Sequence, residues 1–154
     1  MKLQLHIPTD TPEEIRDADF ESLFLGWVQH NQPNLSGVVL LQFVGRAAMQ
    51  ELAHVHQGKN EATDVLSFTY DPPLADQTGE IVCGEIIICM DVARENAQKL
   101  QASMQLECAT LFVHGLLHLT GLDHATPEDR RQFEEETRVI MEVGGLTPVS
   151  LWLD

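Results

Sequence analysis

Positive charge, paired thiols and long apolar runs are what this chain has least of. Nine Lys and Arg stand against 24 Asp and Glu, a formal net charge of −15. Such a chain is repelled overall by phosphate backbones and anionic membranes. Any nucleic-acid function therefore needs a local positive centre, and a bound divalent cation is one way to supply it. The three cysteines, Cys83, Cys89 and Cys108, are odd in number and have no CxxC spacing, which excludes a disulfide framework and points to reduced thiols. No stretch approaches the ~18 consecutive apolar residues of a membrane span. The opening "MKLQLHIPTD" reaches Pro8 and Asp10 before an apolar run can form, which argues against a signal peptide, so a cytoplasmic protein without membrane contact is expected. Linkers, low-complexity tracts and internal repeats are also missing. The 154 residues are expected to form a single domain, 1–154.

What is present alternates between strand and helix patterns. "KLQLHI" has the period of two of a half-buried strand. Thr11, Pro12 and Glu14 have the spacing of a capping box, which predicts a helix from there to about His30. "GVVLLQFV" from Gly37 to Val44 suits a strand covered on both faces, and Gly45 to about Val55 a helix. Thr63–Tyr70 is β-rich, Asp71–Thr78 is expected to be loop, and Gly79 opens a further strand in which Gly84 marks a bulge or a close approach. Asp91 is placed to cap a helix to about Gln101, Ser103 one to Thr120, and Thr126 a last one ending by Gly144. About four strands among about five helices predict an α+β fold with a small mixed sheet.

The chemistry concentrates in "HGLLHLTGLDH". Three of seven histidines, His114, His118 and His124, fall within these eleven residues. Positions four apart on a helix share a face, so His114 and His118 can bind one ion from adjacent turns. Gly121 stands where a left-handed cap ends the helix and lets the chain turn His124 back toward that face. Leu111, Leu117 and Leu122 supply an apolar wall. Three neutral imidazoles leave the cation its full charge and a vacant fourth position, the hallmark of a catalytic metal site. Zinc suits the set first; nickel, copper and iron also accept imidazole. The spacing matches the HExxHxxGxxH motif of metzincin proteases, but Gly115 stands where those enzymes carry their glutamate base.

The same residues, read as HGxLHLxGxDH, resemble the signature of the YbeY family of metal-dependent endoribonucleases. "GKNEATDVLSF" from Gly58 to Phe68 and "GEIIIC" from Gly84 to Cys89 resemble two further segments of that family. The resemblance implies a small zincin-like α+β metal hydrolase core, His114, His118 and His124 as ligands of one metal, usually zinc, and single-stranded RNA as substrate in ribosomal RNA maturation, at the 3′ end of the small-subunit RNA, and in ribosome quality control. It also implies an arginine just ahead of the Gly58–Lys59 pair, where this chain has Gln57; a neutral amide lacks the charge and forked geometry of guanidinium. Gln57 and Lys59 are the candidates for phosphate binding.

Asp123, beside His124, either orients a ligand or takes a proton, or else serves the turn after Gly121. With His114 it is the catalytic candidate. Glu85 sits at a strand edge or points into a polar site, since a carboxylate among isoleucines is costly to bury unpaired. Two other readings stand: a metal-dependent amidase or peptidase whose base lies outside the motif, and a non-catalytic, metal-braced factor associated with ribosomal particles.

Overall fold

The computed structural model describes residues 2–58 and 60–146. Lys59 lies outside them. Strands β1 (Leu3–His6), β2 (Gly37–Val44), β3 (Val65–Ala75) and β4 (Ile81–Cys89) form one sheet in the order β1-β2-β4-β3. The first two and β4 run parallel, and β3 pairs antiparallel with β4 at the far edge. Helices α1 (Phe20–Asn31), α2 (Arg46–Gln57), α3 (Met90–Leu100), α4 (Met104–Leu119) and α5 (Pro127–Val143) pack on this sheet, the α+β architecture implied by the sequence pattern. None of the described helices is long and apolar enough to cross a membrane.

Alternation along β4 divides the packing between two faces. Ile86 and Ile88 join the main core, where α4 meets α1 and α5 through Phe24, Trp27, Phe112, Leu116, Phe133 and Ile140. Ile87 and Cys89 point the other way and join a smaller cluster with Leu66 and with Met49 of α2. Each large side chain removed from water contributes roughly 1.5–3 kcal/mol. Helix α4, buried on nearly every side, is thus the pillar on which the fold depends. It runs so close to the sheet that a Cβ on Gly84 would meet the Leu119 side chain at 3.3 Å, the close approach expected there.

Capping differs from the sequence expectation in two places. The Thr11–Pro12–Glu14 pattern yields only a 3-10 turn, Glu13–Ile15, because the Thr11 hydroxyl donates to the Pro8 carbonyl instead of accepting from a helix amide. Helix α1 starts later, where the Asp19 carboxylate accepts from the Ser22 amide and hydroxyl. Asp91 does not cap its own helix; it accepts from the Arg46 amide at 2.8 Å and so caps α2 from 45 residues away. By contrast, Ser103 and Thr126 cap α4 and α5 as expected.

The expected loop after Tyr70 is also corrected. Strand β3 continues through Asp71, Pro72 and Pro73 to Ala75, since Leu74 and Ala75 regain pairing with Val82 and Ile81 after a register shift. The turn is only Asp76–Glu80, held by Asp76 Oδ1 accepting from Thr78 and Glu80. An irregularity that looks like a loop in sequence is absorbed as a bulge when the partner strand keeps pairing beyond it.

Candidate functional site

Ser103 starts α4 with a side-chain bond to the Leu106 amide, and from there the helix carries Glu107, His114 and His118 along one stripe. The helix ends where Gly121 takes φ +89°, a left-handed conformation, and Gly121 and Leu122 amides donate back to the His118 and Leu117 carbonyls. This reversal returns His124 to the stripe: its ring centroid lies 5.3 Å from that of His118. Phe133 of α5 lies against all three imidazoles, with ring centroids 5.1 Å from His114, 5.1 Å from His118 and 5.5 Å from His124. The structure thus brings together the three histidines that the spacing singles out.

Electrostatics keep two of these rings neutral. Burial first, then the neighbouring His118 and His124, push His114 down to about 3. Burial and His124 also lower His118, against smaller opposing effects of the Leu122 carbonyl and of Asp123 and Asp64. The His118 Nδ1 lies 3.1 Å from the Leu122 carbonyl oxygen. A carbonyl only accepts, so Nδ1 carries the proton and Nε2 keeps its lone pair. Neutral rings with an oriented lone pair are the donor chemistry that a divalent transition metal requires. Among the described residues, however, no three His, Cys, Asp or Glu side chains are closed to ligating distances. The donor set fits a metal in its chemistry, three imidazoles gathered against one phenyl ring.

Gly115 explains the missing glutamate. A Cβ there would lie 2.7 Å from Ile86 Cγ2, because this side of α4 is pressed on β4. No longer side chain fits without displacing the sheet, so a base at this position is sterically excluded.

Asp123 is exposed, and its Oδ1 accepts from the His124 amide at 2.7 Å, which fixes the backbone of the turn. Arg130 Nε donates to the His124 carbonyl at 3.3 Å from the other side. Gln57 is the exposed last residue of α2, the helix on the opposite face of the sheet from α4. The structure does not place it with the histidines. Arg46 is occupied by an ion pair with Glu95. Glu85 accepts from Gln42 at 2.6 Å and Tyr70 at 2.8 Å on the sheet face turned away from α4.

Two features of the site were not singled out from sequence. One is Phe133, which the apolar spacing of Phe133, Thr137, Ile140 and Met141 marks only as core. The other is the pairing of Asn96 and Glu107 with Asp64, a residue open by sequence to a catalytic or a turn role: Asn96 Nδ2 donates to Asp64 Oδ2 at 3.4 Å and to Glu107 Oε1 at 3.5 Å. Burial raises both acids, Glu107 to about 7. A carboxylate inside the apolar run "LECATLFV" was the signal for it.

The comparisons with known proteins agree with the histidine signature. The family model described as Endoribonuclease YbeY matches residues 7–144. A protein named Endoribonuclease YbeY from Staphylococcus carnosus is 36% identical over 108 residues, covering 68% of this chain and 71% of its own length. Its namesake from Staphylococcus aureus strain JH9 is 38% identical over 110 residues, with the same coverage. The solution structure of TM1509 from Thermotoga maritima shares the fold, with a TM-score of 0.54, 20% identity, and coverage of 91% of this chain and 89% of that one. The chain belongs to the YbeY family of endoribonucleases.

Proposed function

We propose that this protein is a cytoplasmic metal-dependent endoribonuclease that cuts single-stranded RNA during ribosomal RNA maturation, with ribosomal precursor particles as its partners. The observation that carries the proposal is the convergence of three imidazoles on Phe133, at the one place where the helix α4 ends and the chain reverses. In this reading His114, His118 and His124 hold one divalent cation, zinc first, through ring nitrogens. When bound, the cation supplies the positive charge that an acidic chain lacks and polarises a phosphate oxygen and a nucleophilic hydroxyl.

The chain's own residues do the rest. The Leu122 carbonyl holds the His118 proton on Nδ1, so the opposite nitrogen faces the site. Asp123 and Arg130 grip the backbone of His124 on either side and fix the turn. In this role Asp123 orients a ligand; as the hydroxyl of water or of the ribose bonds to phosphorus, the P–O bond to the leaving ribose breaks, the attacking oxygen gives its proton to solvent and the leaving oxygen takes one from solvent. Gln57, away from the histidines, and Lys59 are assigned to contacts with RNA phosphates.

Purified protein incubated with single-stranded RNA, duplex RNA and a peptide library, each with chelator and after zinc is restored, tests this reading. Cleavage of single-stranded RNA that stops with chelator and returns with metal is expected. Metal-dependent peptide turnover with inert RNA would establish the amidase reading instead. RNA binding without cleavage, with or without metal, would leave the non-catalytic factor whose metal only braces the fold.

A further inference from the structure

Every histidine of the centre touches the same aromatic ring. Phe133 is 1% exposed, whereas His114, His118 and His124 are only partly buried, so the phenyl ring lies on the inner side of the cluster. Its planes meet the imidazoles at 60° for His114, 42° for His118 and 84° for His124. These are tilted and edge-on contacts of the kind that aromatic rings prefer. A residue that merely filled space behind one helix would not meet rings from both α4 and the turn that follows it.

We propose that Phe133 is a positioning residue of the metal centre, the common wall that orients all three imidazoles and closes their inner side. This rests on the reading that the three histidines hold one cation. The wall matters most for His124, which belongs to no helix: this ring lies against it together with the His118 ring, and its backbone is held by Asp123 and Arg130. Helix α4 already orients His114 and His118 relative to one another, whereas the third donor is joined to them through α5. With no donor atom of its own and only 1% exposed, Phe133 also keeps a protein ligand or water from the inner side of the three rings, leaving their solvent side for a substrate. Preorganised donors bind more tightly because less freedom is lost when the metal arrives.

The test compares metal affinity with fold stability in three proteins: wild type, Phe133→Leu and Ile140→Val, the last a core change on the same helix that touches no histidine ring in the contacts above. Zinc affinity is read by competition with a chromophoric chelator, and ligand geometry by the visible spectrum of the cobalt-loaded protein. Phe133→Leu should weaken zinc binding by about 10–100-fold, the effect usual for residues that support ligands, and alter the cobalt band. Ile140→Val should lower the melting temperature yet keep wild-type affinity and spectrum. Phe133→Met, which fills more of the site, serves if leucine leaves the fold too weak, with the same expectation. Wild-type affinity and an unchanged cobalt spectrum in the Phe133 variants would overturn the proposal. A wild-type protein that takes up no zinc or cobalt would instead overturn the three-histidine reading beneath it.

Discussion

Helix α4 carries two buried titratable regions, and burial drives them in opposite directions. Near its start Glu107 is raised to about 7, and about two turns later His114 is lowered to about 3. Both shifts have one cause, the cost of holding charge away from water. The difference lies in the company each keeps. Glu107 meets Asn96, whose amide satisfies it together with Asp64, and so forms a closed structural cluster joining α3, α4 and the chain just before β3. His114 meets two more imidazoles and a phenyl ring, a group of nitrogen donors with the chemistry to suit a cation from outside the chain. Two polar clusters on one stripe of one helix thus differ in chemistry: one satisfies its carboxylates with an amide, the other gathers imidazoles.

The largest expected effect separates these two sites. His114→Ala should lower zinc affinity and RNA cleavage by more than about a hundredfold, since even supporting residues around a metal are commonly worth 10–100-fold. Glu107→Gln should leave both within a few-fold. Zinc titration and single-turnover cleavage of the two variants would break the comparison if the losses were equal.

Stability against pH sharpens it next. A folded-state pKa above the unfolded value means that the folded chain holds the proton more tightly. The Glu107 contribution is therefore complete below about 4.5 and is lost as pH rises through about 7. The loss is at most about 3 kcal/mol. Glu107→Gln should remove that decline, which denaturant unfolding between about pH 5 and 8 would show. The lowered His114 acts in the opposite sense: in metal-free protein its contribution is present above 6.5 and is lost as pH falls toward about 3.

A change on the sheet side of the same helix should be smaller. Gly115→Ala forces Ile86 or α4 to move and should cost about 1–3 kcal/mol, measured by unfolding, with zinc affinity little changed. The smallest effect is expected at Gln57, away from both clusters. Gln57→Arg adds one cation to an acidic chain and should steepen the salt dependence of RNA binding by about one unit, with a few-fold gain in affinity at low salt.

Several elements were legible without coordinates because their signals are local. The Ser103 and Thr126 caps, the Gly121 stop and the four-residue spacing of His114 and His118 each depend on neighbours within one or two turns. Misreadings arose where a residue found a distant or competing partner. Thr11 bonded Pro8 instead of a helix amide, Asp91 capped another helix, and β3 ran on through its prolines because β4 continued to pair with it. By sequence Asp123 can orient a ligand, take a proton or serve the turn, and its bond to the His124 amide belongs to the turn.

The amino-acid order by itself determined the α+β pattern, the histidine spacing and the family to which the chain belongs, since periodicity and short motifs are properties of the chain. Tertiary structure alone decided that Phe133 lies against all three imidazoles, that Ile86 leaves no room at Gly115 for a glutamate, and that Glu107 finds Asn96. Those contacts join segments brought together only when apolar side chains leave water as one core, and no local pattern records which of them will meet.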